Sequence, residues 1–147
     1  MFYNETNKYL SQLDLNNIEE KIGFNFPADY KRFLLQFNGG KPEKEVFNMI
    51  NNSSIVDRFF GFCENEYRNA LRYYGVVYNK RIPSNTFPIG KDPGGNLILI
   101  SISGSDYGKI YFWDHNWEAE EGREPDYSNL TLIADSFDEF VNNLKDE

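Results

Sequence analysis

The chain has 147 residues, 40% hydrophobic and 17% aromatic, enough apolar area to bury one core and too much for a disordered chain. Twenty-three acids against 15 bases give a formal charge of -8, which disfavours electrostatic binding to nucleic acid or anionic membranes and favours a basic partner. One cysteine, Cys63, and one histidine, His115, exclude an internal disulfide and a zinc site built from those ligand types.

The opening stretch MFYNETNKYLSQLD lacks the basic flank and apolar run of a secretion signal, and no segment approaches about 18 apolar residues. A cytoplasmic protein in a reducing compartment is expected. Asn16, three residues before Glu19, has the spacing of an N-cap facing an acidic N3 position, which predicts a short helix to about Ile22, ended by Gly23. Pro27 suits the first turn of a second helix, in which Tyr30, Phe33, Leu34 and Phe37 form one apolar stripe. Asn38, Gly39 and Gly40 supply left-handed conformations that close this helix, and Pro42 prevents its continuation.

EVFNMI and SIVDRFFGF are rich in β-branched and aromatic residues and are separated by the turn-like NNSS, which predicts two strands. A sheet edge there could extend into a dimer, so the chain is expected as a monomer or a weak homodimer. ENEYRNALRYYGVVYNK returns to a helical period through Tyr67, Ala70, Leu71, Tyr74 and Tyr78, with Gly75 weakening its second half and Pro83 beyond its end. TFPIG, NLILISI and GKIYFWD read as three more strands joined by short Gly-containing turns, and antiparallel pairing is the economical arrangement. TLIADSFDEFVNNL predicts a strand and then a helix capped by Asp135 or Ser136, with Phe137, Phe140, Val141 and Leu144 on one face. The order predicts a single α+β domain over residues 1–147. Its sheet is mostly antiparallel, of about five to six strands, with helices packed on one face and a C-terminal helix.

Four pieces, FPADYKRFLLQFNGG, RIPSNTFPIGKDPGGNLILI, GKIYFWDHN and IADSFDEFVNNL, together resemble the SMI1/KNR4 family of the SUKH superfamily, in the family's order and over about residues 16–145. The resemblance implies an α+β fold without conserved enzymatic activity. In bacteria it implies an immunity protein that neutralises a polymorphic or contact-dependent toxin, often a nuclease; eukaryotic members look like regulatory or scaffolding modules. The matching positions are mostly structural: Pro27, Tyr30, Phe33, Leu34, Gly39 and Gly40 around the second helix, Pro88, Ile89, Asp92, Gly95 and Asn96 near the loop, Tyr111, Trp113, Asp114 and His115 at a strand end, and Phe137, Phe140 and Leu144 in the last helix.

The loop GKDPGGN is a poor phosphate cradle, because a strand rather than a helix follows it and the Gly-Lys-Ser/Thr ending of a P-loop is missing. Pro93 and Gly94 fit the central positions of a type II turn, with Gly94 supplying the positive φ. His115 beside Asp114 could serve a hydrolase, but no serine lies in a nucleophile elbow and Cys63 has no thiol-nucleophile signature. No catalytic, cofactor or metal residue is therefore assigned. The segment DHNWEAEEGREPD, residues 114–126, holds six acids and one base around Trp117, the composition either of a solvated loop or of a protein-recognition surface. The expected contact residues are Asp92, Asp106, Tyr107, Asp114, His115, Trp117, Glu118, Glu120, Glu121 and Glu124. The expected partner is a protein toxin with a basic surface, occluded where it would hold phosphates. The alternative is a regulatory or scaffold module that binds a cellular protein.

Overall fold

The computed structural model describes residues 2–3 and 8–146. After a short strand β1 (Phe2–Tyr3), helix α1 (Gln12–Ile22) begins one turn earlier than the Asn16 spacing suggested. Its N-cap is Ser11, whose Oγ accepts from Asp14 N at 3.0 Å while Ser11 N donates to Asp14 Oδ2 at 3.0 Å. This reciprocal box satisfies two helix-end donors together, and it leaves Asn16 inside the helix, accepting from Gln12 Nε2 at 2.9 Å. Gly23 ends α1 at φ 81°.

Helix α2 (Ala28–Phe37) has Pro27 as its N-cap, one residue before the expected position. Tyr30, Phe33 and Leu34 are buried along its stripe, and Phe37 is half-buried. Asn38 then turns left-handed at φ 49°, and Gly39 passes so close to the neighbouring chain that a Cβ there would lie 2.7 Å from Gly61 N. Strand β2 (Lys41–Pro42) pairs with β1, and a hairpin of β3 (Val46–Asn48) and β4 (Ser53–Ile55) follows.

The expected strand SIVDRFFGF divides in two. Val56 N still bonds back to Glu45 O, whereas Asp57 N bonds to Lys91 O, both at 2.8 Å. At that point the chain leaves the hairpin, and β5 (Arg58–Phe59) joins the central sheet. The helix expected from Glu64 is likewise much shorter. Asn69 caps Leu71 N at 2.9 Å, so α3 spans only Ala70–Arg72, and Tyr67, whose spacing suggested a buried face, is 70% exposed. A wider π turn, Tyr73–Val77, continues it around Gly75. That widening presents Tyr73 to Phe60 at 4.1 Å, Tyr74 to Phe87 at 5.0 Å and Tyr78 to Trp113 at 5.4 Å between ring centres.

Strands β6 (Thr86–Lys91), β7 (Leu97–Ser101), β8 (Ile110–Trp113) and β9 (Leu130–Ala134) complete a five-stranded antiparallel sheet in the order β5-β6-β7-β8-β9. The register places Ile98, Ile100, Ile110 and Phe112 on one face and Leu97, Leu99, Tyr111 and Trp113 on the other. The first face lies under α2 and the C-terminal helix α4 (Phe137–Asn142), through Phe33, Phe47, Phe59, Phe137 and Phe140. Ser136 caps α4, accepting from Glu139 N at 3.1 Å. The second face is covered too, by Tyr78 and Tyr127, which is why every residue of β7 and β8 is buried.

In the turn between β6 and β7 the left-handed residue is Gly95, at φ 89°, not Gly94. A three-residue hairpin loop places its left-handed residue last, so the second glycine and not the first needs freedom from a Cβ.

Candidate partner-binding surface

Because β7 and β8 run between two turns, six of the ten expected contact residues fall at opposite ends of the sheet, and the other four, Glu118, Glu120, Glu121 and Glu124, lie on the loop that follows β8. Asp92, Asp114, His115 and Trp117 lie at the end of the Asp92–Asn96 turn, Asp106 and Tyr107 at the other. Asp92 is 5% exposed, and its carboxylate accepts from Gly94 N, Asn96 N, Asn96 Nδ2 and Ser54 Oγ at 2.8–3.0 Å. It builds the turn. Asn96 in turn accepts from His115 N at 3.0 Å, which fixes the start of the acidic segment against the glycine loop.

Asp106 is likewise engaged, accepting from Ser101 Oγ at 2.7 Å, Tyr111 OH at 2.8 Å and Tyr127 OH at 2.7 Å. Burial pushes its carboxyl up, but the hydrogen bonds from Tyr127, Ser101 and Tyr111 outweigh that and hold it below its ordinary value. Tyr107 is partly exposed and donates to Asn25 O at 2.7 Å.

The acidic segment forms a loop closed at its neck, where Asp114 N donates to Asn129 O at 3.1 Å and Asn129 Nδ2 donates to Asp114 O at 3.0 Å. Asp114 also caps a single 3-10 turn, His115–Trp117, by accepting from Asn116 N. Two anchors then hold the loop against the second face of the sheet. Arg81 forks Glu118, with Nε to Oε2 at 3.1 Å and a terminal nitrogen to Oε1 at 2.7 Å, and its guanidinium stacks 4.7 Å from the Tyr78 ring centre. Tyr127, at the far side, bonds to Asp106 and accepts from Asn85 Nδ2 at 2.7 Å.

Between these anchors lies an open groove of about 1130 Å³, with Tyr78, Ile82 and Pro83 on one wall and Glu118–Pro125 on the other. Of the acids on that loop, Glu118 is consumed by Arg81, whereas Glu120, Glu121 and Glu124 are exposed and their carboxylates have no ion-pair or hydrogen-bond partner among the described residues. Trp117, at the loop's start, is 76% exposed. The anchors Arg81, Asn85 and Tyr127 carried no sequence signal, because each reaches its partner across a long loop rather than at helix or strand spacing.

The model of the SMI1 / KNR4 family (SUKH-1) matches residues 9–143. The chain belongs to the SMI1/KNR4 family. It is similar to an SPbeta prophage-derived protein, YokK, of Bacillus subtilis (strain 168), 34% identical over an alignment of 161 positions that covers 97% of this chain and 76% of the relative. It is also similar to the protein YnaB of the same organism, 26% identical over an alignment of 121 positions that covers 68% of this chain and 83% of the relative.

In this SMI1/KNR4 domain the family-like residues around Asn38, Asp92 and Asn96 are spent on internal backbone bonds, while the exposed groups lie on the acidic loop. Among the described residues no carboxylate is hydrogen-bonded to the His115 imidazole, and no three His, Cys, Asp or Glu side chains gather to hold a metal ion. Cys63 is half-buried, and burial pushes its thiol up, away from the thiolate a nucleophile needs. No described helix is long and apolar enough to cross a membrane.

Proposed function

We propose that this SMI1/KNR4 domain is an intracellular immunity protein that binds a cognate protein toxin and neutralises it by occluding a basic surface. The observation that carries the reading is the pairing of Trp117, 76% exposed, with the free carboxylates of Glu120, Glu121 and Glu124 on a loop pinned at both sides. An exposed aromatic anchor beside charge is the composition of an interface hot spot. Carboxylates complementary to Lys and Arg steer association and compete with the phosphates a nuclease would otherwise hold. A preformed loop loses little conformational freedom on binding. Family membership supports a binding role over a catalytic one, and it agrees with a site that offers contact groups without an assembled nucleophile and base.

Of the expected contact residues, the reading keeps Trp117, Glu120, Glu121 and Glu124 in the interface. Glu118, Asp106 and Asp114 shape the loop, and Asp92 with His115 fixes its root. The test is co-expression of the chain with candidate toxin domains encoded in the same genome. Growth restored by the chain, and lost on Trp117→Ala with the fold intact, supports the reading; a chain that protects against none of them, yet captures an unrelated cellular protein, favours a regulatory module.

A further inference from the structure

The two edges of the central sheet differ. β5 is flanked by Gly40, whose N–H and C=O both pair with Phe59, at 3.0 and 2.8 Å. β9 has β8 on one side and no strand on the other among the described residues. Outside its ladder with β8, its one backbone bond runs from Leu130 N to Tyr127 O at 3.0 Å. An open edge presents N–H and C=O groups ready to pair with another chain, and proteins ordinarily blunt such edges with Lys, Pro or a bulge. The sequence of β9, Leu-Thr-Leu-Ile-Ala, contains neither Lys nor Pro; the register shift opposite Ile110 and Tyr111 makes Ile133 an extra residue, so the regular edge is residues 130–132. Leu132 is 48% exposed, so the strand offers apolar side-chain contact beside its unpaired backbone.

Charge decides what kind of chain fits. Residues 114–139, with β9 inside them, hold nine acids and one base, a net charge equal to that of the whole chain. A second copy adding its own β9 would bring two such segments together, and like charges oppose that. We propose that β9 accepts an extended, basic strand of the partner by strand addition, with main-chain hydrogen bonds along the edge and the partner's Lys or Arg side chains reaching the acidic loop. The proposal rests on the reading of that loop as the partner surface and gives it a docking geometry.

The test is an NMR titration of the full chain with three synthetic peptides of about ten residues, alternating Lys–Val, Lys–Gly and Glu–Val. The Lys–Val peptide should slow amide exchange at Leu132, whose backbone alternates outward from the β8 ladder, and shift residues 118–126. The Lys–Gly peptide, with the same charge but poor strand propensity, should shift the loop alone, and the Glu–Val peptide neither. Leu132→Lys should weaken the Lys–Val complex about tenfold by setting like charges on the edge. If the Lys–Val peptide shifts the loop and leaves β9 exchange unchanged, strand addition is wrong and the acidic surface stands. If it shifts neither, the acidic-surface reading fails with it. Protection of β9 that grows with protein concentration, without peptide, would make a second copy the occupant and overturn the proposal.

Discussion

The side chain of Asn38 pairs with the backbone of Phe62 as a neighbouring strand would: Nδ2 donates to Phe62 O at 3.0 Å, and Phe62 N donates to Oδ1 at 2.8 Å. Asn38 is fully buried and its backbone is left-handed, a region Asn tolerates better than most residues. The joint ties the end of α2 to the segment that leads from the sheet into α3. Asn38→Leu would leave two buried backbone groups of Phe62 without partners, and a loss of about 2–5 kcal/mol is expected in urea unfolding. A change within error would mean that the joint does not hold the two layers together.

Tyr30 makes the opposite case. It is fully buried among Phe26, Phe33 and Phe137, its hydroxyl has no hydrogen-bond partner among the described residues, and burial pushes its phenol up. Removing an unsatisfied polar atom from a core relieves a desolvation cost, so Tyr30→Phe should raise stability by about 1 kcal/mol. A lower thermal midpoint in the variant would show that the hydroxyl has a partner in solution.

These two residues also mark what the sequence made legible. The α2 stripe, the meander β6–β9 and a cap of α4 at Asp135 or Ser136 were readable, because each rests on local periodicity or a local cap, and the structure selects Ser136. The start of α1 was misplaced because two capping patterns, Ser11 with Asp14 and Asn16 with Glu19, compete within one turn, and only the first closes reciprocally. The segment from Glu64 to Lys80 has helical spacing, yet Tyr67 is exposed and Asn69 restarts the chain, so periodicity there described half a helix. In the candidate site the acidic segment was visible as composition. Which of its acids are free was not, since Arg81 reaches Glu118 across the groove and Asp92 is enclosed by its own turn.

Acid should act on the Asp106 cluster. Its carboxyl is held below its ordinary value of 3.8 in the folded chain, so the ionised form contributes stability that is fully present above that value and is lost as pH falls through the folded one. Tyr111 and Tyr127 stay protonated and donating, because burial first and the neighbouring carboxylate next push both phenols up. Asp106→Asn should flatten the acid limb of stability against pH in urea titrations. An unchanged limb would assign the acid sensitivity to other carboxylates.

The Arg81–Glu118 pair is partly exposed, with side chains 44% and 27% accessible, so Arg81→Ala should cost under about 1 kcal/mol of global stability. Its effect belongs on the loop. Backbone order parameters from ¹⁵N relaxation should fall between residues 119 and 124 and stay level in β7 and β8. Equal order in the loop of both proteins would mean that Tyr127 and the Asp114–Asn129 neck suffice to hold it.

The central claim, recognition of a basic protein through free carboxylates, is tested most directly by affinity as a function of salt. The ligand is the toxin domain whose toxicity the chain suppresses on co-expression, and the comparison is with the triple variant Glu120→Lys, Glu121→Lys, Glu124→Lys. Wild-type affinity should fall steeply as salt rises, while the variant should bind at least about tenfold more weakly at low salt and respond little to it. Equal affinities with equal salt slopes would contradict the account and place the interface elsewhere on the domain.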